Sequence, residues 1–367
     1  MQLNSLSLRD FRNYRESRAE FVPGVNLLVG GNANGKTNLL EAIYYLSAGR
    51  SFRTRKEQEL IRFGAEFAEL SAGVFAQERE QTLRAVLFSG RRPRQLWLNG
   101  VKQKTAAEFT GVLHAVLFCP EDLMLVRAGA AARRRFLDTA LCQLRPNYAR
   151  YLEEYNRLHE HKTRILRDSE EKPSLLSMWE DFSLRMARIG AQIIRYRAYY
   201  CRKLLSAAAA VYSDIAPHEA LSGEYRTVSS VSDPFAPAQQ IERELIDHVF
   251  RHKAAEIAAK SCLSGPHKDD LELMLDGRSA ASFGSQGQVR TCTLSLKLAE
   301  RELFFDEDGE YPVLLLDDVL SELDRRRQDC VLNRIAAGQV MITCCEDGIS
   351  EKLRAGAAFH IKNGKIV

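Results

Sequence analysis

The sequence contains no apolar run near the roughly 20 residues that a membrane-spanning helix needs. Its opening residues, MQLNSLSLRDFRNYRES, lack the apolar core of a secretory signal. None of its 8 cysteines forms a C-x-x-C pair, which argues against a zinc site. These absences predict a cytoplasmic chain with reduced thiols.

Internal repeats, low-complexity tracts and sustained heptads are also missing, which argues against a solenoid and against a long coiled-coil arm. The 367 residues, 45% hydrophobic and 27% charged, are enough for two or three ordinary globular domains. The net charge of +4 permits a polyanionic partner, but it fits an ordinary soluble enzyme equally well.

The hydrophobic pattern changes twice along the chain. Short alternating or continuous apolar runs predict strands in the first third and again near the C-terminus. The middle is mostly of helical period: SMWEDF to VYSDI predicts one long helix, and PAQQIERELIDHVFRHKAAEIAAKS another. We therefore expect one α/β domain built from both chain ends (residues 1–125 and 263–367) with a helical insertion at 126–262.

A glycine-rich turn between an apolar strand and a helix has the form G-x-x-x-x-G-K-[ST]. Glycines allow the loop to turn tightly, and its amides can then surround phosphate oxygens at a helix N-terminus. Lysine would neutralise the β- and γ-phosphates of ATP, and threonine would offer a hydroxyl to Mg²⁺. The alternative is a glycine turn with a surface lysine. The predicted nucleotide-binding residues are Gly30, Gly31, Asn32, Ala33, Asn34, Gly35, Lys36 and Thr37.

An acidic pair follows the buried apolar run VLLL near the C-terminus. Asp317, at the strand end, is predicted to hold Mg²⁺, directly or through water. Asp318 is predicted to orient or deprotonate the attacking water, which would make Asp318 and Lys36 the catalytic pair. The alternative is a helix N-terminus that uses acidic residues to complement its dipole.

The run GSQGQVRTCTLSLKLA places a Ser-x-Gly-Gln turn before an amphipathic helix. This turn is similar to the signature of ABC-type ATPases, in which the serine hydroxyl and turn amides bind the γ-phosphate held by the other protomer. The likeness assigns nucleotide contacts to Ser285, Gly287 and Gln288. The alternative is a serine-capped helix. The motif order, which ends in Ser321-Glu322-Leu323-Asp324 at the position of a D-loop, favours the ABC interpretation.

Several longer runs resemble the RecF family, bacterial recombination-mediator ATPases related to the heads of SMC proteins. They cover nearly the whole chain and are LRDFRNY, NGKTNLLEAIYYLSAGRSFR, PEDLMLV, RRRFLD, SGPHKDDL, SQGQVRTCTLSLKLAE and LLLDDVLSELD. GRSFR and GPHKDDL distinguish this family from transporters and other SMC relatives.

The resemblance implies an ATP-dependent homodimer that binds DNA next to single-strand gaps. It also implies action with RecR and RecO to load RecA, in DNA repair, replication restart and the SOS response. Two alternatives remain: an ATPase subunit of a transporter, and a nucleotide-binding scaffold without catalysis.

Two positions depart from the wider ABC pattern. The switch-histidine position reads Thr343-Cys344-Cys345-Glu346, without histidine, which predicts slow hydrolysis suited to a timer. The Q-loop glutamine is hard to place: the run FCPEDL stands near that position, and Glu121 and Asp122 are its polar candidates.

Basic residues form clusters that can contact phosphates without reading sequence. The alternative for each cluster is a solvated charged surface. We expect duplex-backbone binding across the groove of the dimer. The clusters are Arg50-Arg53-Arg55-Lys56, Arg91-Arg92-Arg94 and Arg133-Arg134-Arg135.

Overall fold

The computed structural model describes residues 1–228, 230–345 and 356–367. Its strands are, in chain order, β1 (Gln2–Phe11), β2 (Tyr14–Glu20), β3 (Val25–Val29), β4 (Phe67–Ala76), β5 (Arg79–Phe88), β6 (Gln95–Leu98), β7 (Val101–Lys102), β8 (Ala115–Phe118), β9 (Leu221–Arg226), β10 (Asp270–Leu275), β11 (Arg278–Ser279), β12 (Val313–Leu316), β13 (Val340–Cys344), β14 (Ala357–Lys362) and β15 (Lys365–Ile366).

The helices of the described part are, in chain order, α1 (Lys36–Ala48), α2 (Ala130–Leu144), α3 (Pro146–Asp168), α4 (Trp179–Ile215), α5 (Ala238–Arg251), α6 (Lys253–Ala259), α7 (Ala280–Phe283), α8 (Gln286–Asp308) and α9 (Arg325–Arg334). The single long helix predicted from SMWEDF is confirmed as α4. The prediction of one helix from PAQQ to AAKS was wrong, because the chain breaks at His252 into α5 and α6.

A mixed sheet in the order β15-β14-β3-β13-β12-β8 carries the candidate nucleotide residues. All its pairings are parallel except the β14–β15 hairpin. Strands β3, β13 and β12 are mostly apolar because both faces are covered. Side chains alternate between the faces: Leu27 and Leu314 join one hydrophobic cluster, and Leu28 and Leu315 join the other.

An antiparallel sheet in the order β2-β1-β4-β5-β6-β7 covers the face that carries Leu28. Helix α1 lies within the same cluster through Leu39, Leu40 and Ile43. The phosphate-loop helix is therefore held between two sheets. Strand β2, YRESRAE, was missed from sequence because its mostly polar residues give no strand pattern.

The opposite face of the mixed sheet packs on the helical middle of the chain. Leu27 and Leu314 share one hydrophobic cluster with Trp179 and Ile194 of α4. The middle also contributes β9, which pairs with β10 in a three-stranded sheet and was not predicted inside the helical region. The predicted boundaries between the head and the helical insertion, at 125/126 and 262/263, stay a prediction. No helix among the described residues is long and apolar enough to cross a bilayer.

Candidate nucleotide and nucleic-acid site

The glycine-rich turn connects β3 to α1 at the carboxyl edge of the mixed sheet. Gly30 has no room for a side chain, since a Cβ there would meet the carbonyl oxygen of Ile361 at 2.3 Å. Gly35 has φ 115°, a conformation that favours glycine, and it precedes α1 without a side-chain cap. The first amides of α1 are therefore left for another acceptor.

Lys36 lies inside this loop with 8% of its surface exposed. Its Nζ donates to the carbonyl oxygens of Gly30, at 2.5 Å, and Gly31, at 3.1 Å. The Sγ of Cys345 lies 3.6 Å from the same nitrogen. The ammonium group is thus positioned over the loop that the sequence predicts to hold phosphates.

The carboxylate of Asp317 lies beside the loop because β12 ends there. Its Oδ1 accepts hydrogen bonds from the hydroxyls of Thr37 and Thr343, both at 3.0 Å. Burial raises the pKa of Asp317, and the two hydroxyl donors partly oppose that rise. The two residues predicted to hold Mg²⁺, Thr37 and Asp317, are therefore in direct contact.

Asp318 turns away from the strand with φ 54°, a left-handed conformation that aspartate tolerates better than most residues. Its backbone amide donates to the Thr343 hydroxyl at 2.8 Å. Ser321 donates to its carbonyl at 2.7 Å. This turn fixes the second carboxylate at the end of the parallel strands.

The end of β13 supplies Thr343 to both carboxylate residues, a role that sequence reasoning missed. Thr343 is buried, and exposed Cys345 donates to the Asn32 side chain at 3.2 Å. Only the absence of histidine in TCC was visible in the sequence. Glu346, the last residue of that predicted position, lies outside the described residues.

The two Q-loop candidates differ in their contacts. Asp122 accepts from the backbone amide of Cys119 at 3.0 Å and lies 3.7 Å from the ammonium of Lys297, so it holds a local turn. Glu121 is exposed, and its charge contributes to the raised pKa of Asp317. Glu121 is thus the member of the pair that faces the acidic site.

The Ser285 turn starts α8 with a reciprocal capping box. Gln288 N donates to Ser285 Oγ at 3.2 Å, and Ser285 N donates to Gln288 Oε1 at 2.8 Å. Ser285 is exposed and Gln288 is half-buried. Among the described residues, no hydrogen bond joins this turn to the phosphate loop of the same chain. The capping box accounts for a serine at this position within its own chain. The contact of Ser285 with a partner's nucleotide stays a prediction.

Arg327 joins the Ser285 turn to the segment predicted as the D-loop, a link that sequence reasoning missed. It donates to the Gly287 carbonyl at 2.9 Å and the Thr291 hydroxyl at 2.8 Å. Its backbone amide donates to Asp324, which caps α9. The run RRR after the D-loop was its only visible signal.

The three basic clusters contain both structural and free arginines. Arg133 forms a bidentate pair with Asp270 at 2.7 Å. Arg94 pairs with Glu57, and Arg53 donates to Asn38. Among the described residues, the guanidinium groups of Arg55 and Arg135 form no ion pair and donate no hydrogen bond. The clusters are therefore not uniform phosphate-binding surfaces.

Comparison with known proteins identifies the family. The family model described as the RecF/RecN/SMC N terminal domain matches residues 2–366. The DNA replication and repair protein RecF of Lactobacillus johnsonii is 39% identical over 371 residues, which cover 100% of this chain and 99% of that protein. The RecF protein of Clostridioides difficile is 36% identical and is covered to 98%.

Solved structures of the same family and of the same fold are similar to this chain. The recombination mediator protein RecF in the RecFOR pathway, solved with ATP, has a TM-score of 0.92 and 32% identity, covering 100% of this chain and 96% of that one. The Smc head domain of Pyrococcus furiosus has a TM-score of 0.57 at 17% identity, which shows the ABC-type head fold alone. The chain belongs to the RecF family of ABC-type, SMC-head-like proteins.

Proposed function

We propose that this chain is an ATP-dependent DNA-binding recombination mediator. In this proposal ATP closes two copies into a clamp on duplex DNA next to single-strand gaps. The observation that carries it is the direct contact of Thr37 with Asp317 beside the Lys36 loop, in a chain that resembles RecF proteins over its full length. A solved RecF structure with ATP supports the choice of nucleotide.

In the proposed complex, the loop amides and Lys36 hold the phosphates of ATP. Lys36 already lies over the loop through its two carbonyl contacts, so little side-chain ordering is needed on binding. Ser285, Gly287 and Gln288 would complete the site of the partner subunit. The exposure of Ser285 supports this, because a contact in trans needs an accessible turn.

The residues at the acidic site fit Mg²⁺. Mg²⁺ is usually held by one or two carboxylates together with substrate phosphates and waters, and it seldom has an all-protein cage. Thr37 and Asp317 offer one hydroxyl and one carboxylate at one place, and no cluster of three or more acidic, His or Cys ligands occurs among the described residues. When bound, the ion would neutralise phosphate charge there.

We propose that Asp318 orients or deprotonates the attacking water and that hydrolysis is weak and stimulated by DNA. The switch position carries Thr343, whose hydroxyl donates to Asp317 and therefore serves the carboxylate. A chain without a histidine at that place suits a timer that reopens the clamp.

We further propose that the clamp acts with RecO and RecR to load RecA in repair, replication restart and the SOS response. The pathway in which its solved relatives act supports this assignment. The head and helical insertion would divide at 125/126 and 262/263.

Light scattering with and without ATP tests the clamp. Asp318→Asn is the informative variant, because asparagine also tolerates the left-handed backbone at this position while losing the charge. It should bind ATP and accumulate as a dimer, whereas Lys36→Met should stay monomeric. An Asp318→Asn protein that binds ATP and remains monomeric would overturn the sandwich mechanism.

A further inference from the structure

A cavity lies between the loop after α1 and the helical middle, and no residue of the phosphate loop lines it. It has a volume of about 800 Å³. Its wall carries six arginines, and we call it the arginine cleft: Arg50, Arg53, Arg55, Arg134, Arg135 and Arg197.

The acidic residues of the wall are already neutralised. Asp138 pairs with Arg197 at 2.8 Å, and Glu57 pairs with Arg94, which lies outside the cleft. Arg53 lies 3.5 Å from buried Glu41. The charge that remains on the open side of the cleft is therefore positive, and a cleft lined by one sign of charge attracts counter-ions.

Three arginines of the cleft wall, Arg50, Arg55 and Arg135, interact with one another. Burial and the charges of Arg55 and Arg50 lower the pKa of Arg135. Arg50 donates to the Thr139 hydroxyl and the Arg135 carbonyl, both neutral acceptors. Arg55 and Arg135 have no carboxylate partner among the described residues. Like charges held this close without a counter-charge indicate a site for an anion.

The start of α2 strengthens the positive field. This 15-residue helix has no side-chain cap and no acidic residue in its first turn, and Ala131 of that turn lines the cleft. Arg134 and Arg135 follow in the next turn, although cations near a helix N-terminus oppose its dipole. The arrangement is unfavourable for the isolated helix and favourable once phosphate occupies the cleft.

Neutral polar groups also line the cleft. Tyr155 Oη lies 2.7 Å from Nδ1 of His267, and burial lowers the pKa of His267 to about 3, so this imidazole is neutral at pH 7. Phe52 lines the wall with an aromatic face. Neutral hydrogen-bonding groups and one aromatic ring suit the sugar and base beyond a phosphate.

We propose that the arginine cleft binds phosphates of a single nucleic-acid strand, one or two nucleotides at a time. The volume decides between strand and duplex. Cavities of about 300–1,000 Å³ hold small ligands. A duplex is wider than its major groove, which alone measures about 12 Å, and does not fit inside such a cavity. The assignment to nucleic acid rests on the proposed function. A free nucleotide shares the phosphate chemistry and is the competing source.

The test compares Arg55→Gln/Arg135→Gln with the matched control Arg79→Gln/Arg278→Gln, which removes the same charge from exposed arginines of β5 and β11 that belong to none of the three basic clusters. Fluorescence anisotropy with ATP present would measure binding of a single-stranded oligonucleotide, a blunt duplex and a duplex with an overhang. The cleft variant should bind the single strand and the overhang about tenfold or more weakly, with blunt-duplex binding within about threefold of the unmodified protein.

Salt titration gives a second readout that a folding defect would not imitate. Loss of two phosphate contacts should make the plot of log affinity against log salt shallower by about 1.4 for single strands. The control should keep the slope of the unmodified protein. An unchanged affinity and slope in the cleft variant would overturn the inference.

Three outcomes separate the cleft, the source of its phosphate and the proposed function. The first is that Lys36→Met retains some ATP binding, which disappears when Arg55→Gln and Arg135→Gln are added, while strand binding stays unaltered. That result would assign the cleft to free nucleotide and would overturn the proposal that it binds a nucleic-acid strand. Failure of the unmodified protein to bind any DNA would overturn the proposed function and, with it, the proposal that the cleft binds a nucleic-acid strand. Binding by the unmodified protein together with unchanged binding by the cleft variant would overturn the cleft alone.

Discussion

At the scale of single residues, Lys36 has the clearest role to test. Lys36→Met removes an ammonium group that the loop holds through Gly30 and Gly31. A charged hydrogen-bond donor contributes about 1.5–3 kcal/mol, so ATP affinity should fall by roughly tenfold to more than 100-fold. Equilibrium binding of fluorescent ATP would measure this. Lys56→Met, at an exposed lysine, is the control and should bind normally.

Asp269 shows how burial controls the charge of a single residue in the helical part. Burial raises its pKa to about 6, although Arg197 lies 3.8 Å away and favours the charged form. Tyr225 donates to the same carboxyl group. Because folding favours the protonated acid, its contribution to stability is complete below pH 3.8 and is lost as the pH rises through about 6.

Asp269→Asn should therefore gain stability relative to the unmodified protein as the pH rises from 4 to 7, by up to about 3 kcal/mol. Urea unfolding at several pH values would measure the difference in free energy. The surface variant Asp181→Asn, with a side chain 70% exposed, should show no such trend. A constant difference between Asp269→Asn and the unmodified protein would show that this carboxyl stays ionised.

At the scale of elements, the Ser285 turn has two possible functions that one pair of variants separates. Ser285→Ala breaks the capping box of α8 and should cost about 1 kcal/mol of stability. Ser279→Ala removes the serine cap of α7 and is the matched control. If Ser285 also contacts a partner's nucleotide, only its replacement should reduce ATP-dependent dimerisation, measured by light scattering. Equal dimerisation by both variants would leave Ser285 with capping alone.

A buried ion pair, together with one tryptophan, connects three helices of the middle region. Lys162 Nζ of α3 lies 2.6 Å from Glu256 Oε2 of α6, with side chains 2% and 0% exposed. Trp179 Nε1 at the start of α4 donates to the same oxygen at 3.1 Å. The two charges and the indole therefore form one desolvated network.

Lys162→Met should destabilise the protein by about 3–5 kcal/mol, because it leaves the Glu256 carboxylate buried without a counter-charge. Lys162→Met/Glu256→Gln should recover much of that loss, since no charge then stays unpaired. Chemical unfolding of the single and double variants would measure the coupling. A double variant as unstable as the sum of the single ones would show that the pair acts independently.

The elements also show what the sequence could and could not reveal. Continuous or nearly continuous apolar runs were sufficient to predict β12 and β3, and therefore the carboxylate and the loop that follow these strands. Strands β2 and β9 were not predicted, because their exposed faces carry charge and only pairing with a neighbouring strand decides their conformation. The role of Thr343 was invisible because it depends on parallel pairing between β12 and β13.

At the scale of the whole molecule, some arginines form internal ion pairs and others face the arginine cleft without a carboxylate partner among the described residues. The net charge is only +4. Arg133, Arg94 and Arg197 are used in internal ion pairs, whereas Arg55 and Arg135 remain open to the cleft. Sequence clusters could not make this distinction, because adjacent arginines on α2 point to different neighbours. A basic run was thus a weaker guide than the motifs around Lys36 and Asp317.

Sequence-independent contact with DNA predicts strong sensitivity to salt for the whole clamp. Each neutralised phosphate releases counter-ions, so the logarithm of duplex affinity should fall linearly with the logarithm of salt concentration, with a slope of about −0.9 per contact. The measurement is ATP-stimulated binding of a gapped duplex between about 50 and 200 mM salt. Lys36→Met supplies the control without nucleotide, and its binding should be weak throughout. A flat response of the unmodified protein would mean that phosphate contacts do not hold the DNA, and the clamp would then need another surface.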